Sequence, residues 1–303
     1  MAEKKTTSFE ASSLAAQTKG RKGFTLIELL VVLSVISVLM GILLPVAAAV
    51  RRRALTIKCM QNMREITRCA ELFAMDNDGR YPESVATIGF GNFCHWDEPT
   101  MLIGYMMRAP GVHRAMSEYL GRYITDASIM VCPCAPHKHK YLQQAWEAGD
   151  SWDNPDTPSH PDALLGTYCF YWNYIGFLGE EEDVFKGPLG PSYGRGRSKL
   201  LITDYFGYGH WRSPGCYGSS ERFKRSTITE GSDISSAYWS ISGAGRTLGP
   251  SALKILLHAG YTDGHVENYT PANVAPMWVS LNCDGTVPNS VPGIFYLPEN
   301  ALH

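Results

Sequence analysis

The densest run of side chains able to do chemistry is Cys132-Pro133-Cys134, followed at once by His137 and His139. Thiolates and imidazoles are suitable ligands for zinc or copper. A single residue between the cysteines is tighter than the usual zinc spacing, and Pro133 stiffens the pair further. The four residues therefore stand as metal-ligand candidates, with disulfides to distant partners or solvated loop positions as the competing reading, and no cofactor is expected. Asp263 and His265 could run acid–base chemistry. Alternate residues of a strand share a face, however, so the plainer expectation is a polar surface pair. The chain has no Gly-x-Ser-x-Gly elbow, no phosphate loop ending in Gly-Lys-Ser/Thr and no His-Glu-x-x-His helix, and Gly194-Arg195-Gly196-Arg197 lacks the third glycine of a dinucleotide loop. No enzyme is expected.

Composition narrows the partners. Charged residues are 18% of 303 and the formal net charge is -2, too weak a field to argue for nucleic acid. Hydrophobic content of 45% allows a real core, and 29 Gly, 18 Pro and 16 Tyr point to a loop-rich, aromatic one. The eight cysteines stand at 59, 69, 94, 132, 134, 169, 216 and 283, a set that suggests disulfides if the protein is exported. Cys59 and Cys69 would lie about 15 Å apart along one helix, so any bridge from either must reach elsewhere.

The elements that must position these groups begin with an unusual amino terminus. Residues 1–22 are polar and basic, with Lys4, Lys5, Lys19, Arg21 and Lys22 against Glu3 and Glu10. The apolar segment comes after this run, the reverse of a secretory signal peptide in which cleavage follows the apolar stretch. From Leu29 to Val50 there are 22 residues without a charge, a helix of roughly 33 Å that matches the thickness of a bilayer's hydrocarbon core. Arg51, Arg52 and Arg53 close it. Glu28 is out of place at the edge of this segment, because a carboxylate there needs a partner or a task. Cleavage after Gly23 would create an amine on Phe24 one turn away, able to pair with the Glu28 of a neighbouring chain.

The string Lys22-Gly23-Phe24-Thr25-Leu26-Ile27-Glu28-Leu29-Leu30-Val31-Val32 resembles the processing signal of type IV prepilins and type II secretion pseudopilins. The resemblance implies cleavage after Gly23 by a membrane prepilin peptidase and N-methylation of Phe24. It also implies registration of subunits through Glu28 and a helix-bending role for Pro45. Pro45 removes a backbone donor in any case, so a kink or local melting is expected there. Two further places, Val131-Cys132-Pro133 and Tyr261-Thr262-Asp263-Gly264-His265-Val266-Glu267, resemble a branch of processing-associated prepilin-like proteins with an Asp-Gly-His-Val segment. That branch often has a histidine ten positions before the aspartate; here Leu253 stands there, and His258 is the nearest upstream histidine.

Beyond the arginines, Leu55, Met60, Met63, Ile66, Ala70 and Phe73 recur at helical spacing, so the helix is expected to continue with one apolar face. Asp76-Asn77-Asp78-Gly79-Arg80-Tyr81-Pro82 should stop it, since no carboxylate closes a calcium loop there and Asn, Asp, Gly and Pro all break helices. Apolar runs at Ile129–Val131, Thr167–Ile175, Leu200–Thr203, Ala252–His258 and Ile294–Leu297 read as strands. Residues 145–162 and 207–222 read as surface loops.

The expected fold is α+β: a long amino-terminal helix, half membrane and half amphipathic, packed on an antiparallel sheet with long loops. The expected division is a cleaved leader at 1–23, an assembly half at 24–50, an amphipathic half at 51–78 and an exported head at 79–303. The function this implies is a subunit polymerised through its helix into a type IV pilus or secretion pseudopilus, or else a surface-binding protein for glycans displayed by the same route. The implied partners are a prepilin peptidase and methyltransferase, other pilin-like subunits and the inner membrane. The chain would cross that membrane once before assembly, its amino terminus cytoplasmic and its head periplasmic or extracellular.

Overall fold

A computed structural model describes residues 24–90, 93–96, 98–105, 113–133, 140–156, 164–178, 184–192, 196–209, 212–216, 256–279 and 293–302. The chain divides into two compact units, Met1–Ala49 and Val50–His303. One α-helix, Leu26–Asp76, contributes residues to both.

In the first unit the helix is a run of Leu, Val and Ile with nothing packed on it. Its most apolar 18-residue window has a mean hydropathy of 2.8 and none of it buried, so by length and composition it can cross a membrane. Helical structure continues through Pro45 without interruption, so the local melting anticipated there does not occur. Ser34 and Ser37 bond back to the carbonyls of Val31 and Leu33 at 2.8 Å, which hides their hydroxyls inside the helix's own surface.

In the second unit the same helix acquires a buried face. Cys59, Met63, Ile66, Cys69, Ala70 and Ala74 are all buried. Positions i, i+4, i+7 and i+11 of this set fall on one side, as the apolar spacing requires. Of the expected stripe Met63, Ile66 and Ala70 are buried and Leu55, Met60 and Phe73 are half-buried, and Cys59, Cys69 and Ala74 join the buried set. The helix stops as expected, with Asp78 and Gly79 in the left-handed region at φ 53° and 73°. The Gly79 amide closes back on Ala74 O at 2.8 Å.

The strands are antiparallel and form several sheets rather than one. A four-stranded sheet runs in the order Val266–Tyr269, Leu257–Tyr261, Leu200–Asp204, Tyr168–Phe170. A six-stranded sheet runs Arg212–Cys216, Phe206–Gly209, Gly293–Pro298, Val274–Val279, Ile175–Phe177, Val184–Lys186. A three-stranded sheet (His113–Ala115, Met101–Tyr105, Leu164–Leu165) and the hairpin Thr87–Phe90 with Phe93–Trp96 complete them.

The long helix lies against the four-stranded sheet, and Gly260 shows why they fit. A Cβ there would meet Ile202 Cγ2 at 2.7 Å and Thr67 Oγ1 of the helix at 3.6 Å. Leu200, Leu201, Ile202, Leu257 and Ala259 are all buried. Burying each large apolar side chain favours folding by about 1.5–3 kcal/mol.

Three local readings are corrected. Ile129 belongs to a 3-10 helix, Ala127–Met130, because Asp126 caps it by accepting the Ser128 amide at 2.9 Å. The supposed loop at 145–162 contains most of an α-helix, Leu142–Ala148, whose Leu142, Ala145 and Trp146 are buried behind polar Gln143, Gln144 and Glu147. The supposed loop at 207–222 contains paired strands, with Phe206 opposite Cys216 and Gly207 opposite Gly215. Glycine there lowers strand propensity, yet pairing on both sides of Phe206–Gly209 overrides it. Of the run Ala252–His258 only residues 256–258 are described, and Leu257 and His258 open the strand Leu257–Tyr261.

Candidate functional site

Two places concentrate chemistry, one in each unit. At the start of the long helix, the Glu28 carboxylate accepts from the Thr25 amide at 2.8 Å and from its hydroxyl at 2.9 Å. The Glu28 amide in turn donates to Thr25 Oγ1 at 3.2 Å. This is a reciprocal capping box, Thr25-x-x-Glu28, in which two amides lacking helical partners are satisfied and negative charge sits at the positive end of the helix. Its signature, a Thr three residues before a Glu at the head of an apolar run, is visible in the sequence. Phe24, beside the box, is 79% exposed. Gly23 lies outside the described residues.

A family profile, the prokaryotic N-terminal methylation motif, matches residues 18–44, the segment that holds this box and most of the exposed apolar helix. Over this segment the chain is similar to type IV pilins. It is 33% identical over 73 residues to the type IV wide pilus major component PilA4 of Thermus thermophilus, a match covering 24% of this chain and 56% of that protein. The chain spans about half the length of the curated relative it matches. No solved structure matches it.

Within the second unit, the head, lies a buried polar cluster. Asp204 ends the strand Leu200–Asp204, opposite Tyr168 in the neighbouring strand, and it is fully buried. His258, also fully buried, stands on the other flanking strand; its backbone amide donates to Asp204 Oδ2 at 2.9 Å and its Nδ1 lies 2.7 Å from the same oxygen. Cys59 of the long helix donates to Asp204 Oδ1 at 3.3 Å. The Cys59 sulfur also lies 3.3 Å from the Tyr168 hydroxyl and 3.2 Å from the Cys132 sulfur. Cys132 is held in place by its own amide, which donates to Thr167 Oγ1 at 2.5 Å. Both carboxylate oxygens thus receive donors, which is what a charge in a dry interior requires.

The electrostatics keep the thiol protonated. Contact with Cys132 draws the Cys59 thiol down, but burial and the Asp204 charge outweigh it and push the thiol up to about 11. Burial, with the neighbouring thiols and Asp204, places the Tyr168 phenol well above its usual range. Donor atoms of Cys59, Asp204 and His258 lie within 4.8 Å of one another, a set that could hold zinc, although the same atoms already bond to each other.

The structure separates the residues singled out from sequence. Cys132 joins this cluster, whereas Cys134, His137 and His139 lie outside the described residues. Asp263 and His265 flank Gly264, at φ 80°, in the hairpin turn between Leu257–Tyr261 and Val266–Tyr269 rather than along a strand. Asp263 accepts the His265 amide at 3.1 Å, its carboxylate touches His265 Nδ1, and the imidazole stacks on Tyr261 with ring centroids 4.5 Å apart. Burial alone would raise the Asp263 carboxyl, but the bonds from His265 hold it below its usual range. This is a half-exposed pair that stiffens a turn. Cys59, Asp204 and His258 were missed as a cluster, although charged or imidazole residues inside the runs Leu200–Asp204 and Leu256–Ala259 are a visible signal that something buried must pair with them.

Proposed function

We propose that this chain is the precursor of a structural filament subunit. It is cut after Gly23, methylated on Phe24 and polymerised through its apolar helix into a type IV pilus or a type II secretion pseudopilus. The observation that carries this reading is the wholly exposed apolar helix directly behind the methylation motif: every large apolar side chain from Phe24 to Val50 is at least 45% exposed. So much apolar surface must be covered by lipid before assembly and by neighbouring helices after it.

Glu28 couples the two states. In the precursor its carboxylate caps its own helix through Thr25. Cleavage after Gly23 supplies a new amine at Phe24, and the Glu28 of an adjacent chain is the carboxylate that this amine pairs with in the filament. Such pairing would neutralise both charges where water is scarce.

The surface-binding alternative gains no observation from the described aromatics, since Trp146, Trp152 and Trp172 are all buried. The test is assembly in a host carrying a prepilin peptidase and an assembly machine. Glu28→Ala should leave processing intact and abolish sheared filaments, while normal filament yield from that variant would defeat the Glu28 mechanism.

A further inference from the structure

The strongest unexplained feature is the meeting of two cysteines from distant parts of the chain inside the head. Cys59 is on the long helix and Cys132 follows the 3-10 helix Ala127–Met130; they are 73 residues apart in sequence, and both are fully buried. Their sulfurs are in contact at 3.2 Å. The surrounding backbone is held in register by a separate bond, from Asn62 Nδ2 to the Val131 carbonyl at 3.4 Å, one turn further along the helix. The amide of Cys132 is fixed by Thr167. The pair therefore sits on two segments docked independently of the sulfurs, as a crosslink without backbone movement requires.

We propose that Cys59 and Cys132 form a structural disulfide that fastens the long helix to the head. The proposal rests on the reading of the head as exported, because only an oxidising compartment makes such a bond persist. The oxidant is a protein disulfide of the thiol–disulfide exchange class. Its disulfide accepts two electrons and two protons and becomes a dithiol, while the two chain thiols lose one hydrogen each and join. Attack needs a thiolate and access. Both are lost once Cys59 is enclosed by Tyr168, Asp204 and Cys132, so the bond forms while the head is folding and is shielded from reductant afterwards. When the sulfurs join, Asp204 Oδ1 loses the Cys59 donor. The Tyr168 hydroxyl, already against Cys59 and opposite Asp204 in the strand ladder, is placed to take over.

The bond serves assembly. Force applied to a filament through the exposed half of the helix reaches the head along Val50–Asp76, and a covalent tie at Cys59 carries that load near the helix's entry into its buried stretch.

The experiment uses the full chain expressed with a prepilin peptidase. Protease accessibility of the head is scored in spheroplasts, and thiols are trapped with an alkylating agent before non-reducing peptide mapping. The expected result is an accessible head yielding a Cys59–Cys132 linked peptide that separates on reduction, in most of the chains. An accessible head with both cysteines alkylated, with or without stoichiometric metal, overturns the disulfide and leaves the export reading standing. An inaccessible head overturns both. A Cys59→Ala/Cys132→Ala chain, which removes both thiols together, should lose the linked peptide; a disulfide-linked species that survives at the same mass would assign the crosslink to other cysteines and overturn the proposal.

Discussion

The two halves of the long helix share one backbone conformation and almost nothing else. Up to Ala49 its apolar side chains face outward on every side, from Leu26 at 80% exposed to Ile36 at 45%. From Cys59 onward one face is buried, with Met63, Ile66 and Ala70 at 0%, and the opposite face is exposed, Leu72 and Met75 included. A helix apolar all round is stable only in lipid or among other helices, whereas an amphipathic one completes a core of its own. The first half is therefore a segment awaiting partners, and the second is already satisfied.

Changes that confuse the two environments should have the largest effects. Ile36→Arg puts a charge at the middle of the exposed run, which disfavours insertion by about 2.5–3.5 kcal/mol on translocation scales. The chain should move from the membrane to the soluble or degraded fraction on cell fractionation. In the head, Met63→Ala or Ile66→Ala should destabilise by about 2–5 kcal/mol, read as a lower urea midpoint. Ile36→Ala, by contrast, should leave head stability unchanged within about 0.5 kcal/mol.

A smaller effect comes from the buried thiol. In the reduced chain, Cys59 is lifted from an ordinary 9.0 to about 11, so the fold favours its protonated form. Its contribution is whole below about pH 9 and is lost as pH rises toward about 11, a difference of about 3 kcal/mol across two pH units. Urea unfolding in reductant at about pH 8 and about pH 10.5 should show this slope, and Cys59→Ala should flatten it. The oxidised chain, having no thiol there, should lack the slope as well. Smallest of all, Thr25→Ala removes the helix cap and should lower helix stability by about 1 kcal/mol, seen as faster amide exchange in the first turn.

The first half of the helix was legible in the sequence because its signal is local: a basic run, Gly23, Glu28 and an uncharged stretch whose length alone sets its environment. The helix stop at Asp78 and Gly79 was legible for the same reason, since both adopt positive φ there. The head was less so. Its two- to six-residue strands carry too few residues to display a period, and glycine-rich Phe206–Gly209 becomes a strand only through partners on both sides. The buried cluster was hidden for a further reason. Cys59, Cys132, Asp204 and His258 come from four separate segments, and no spacing rule joins residues that only tertiary packing brings together. Cys132 stands beside Cys134, His137 and His139 in sequence, while its contact in space is Cys59.

The most direct measurement of the central claim is intact-mass spectrometry with amino-terminal sequencing of the chain made in a host that has a prepilin peptidase. A chain beginning at monomethylated Phe24, with residues 1–23 removed, is the expected result. A full-length, unmethylated chain from a host that processes its own prepilins would contradict the account, leaving a membrane-anchored protein whose helix is never released for assembly.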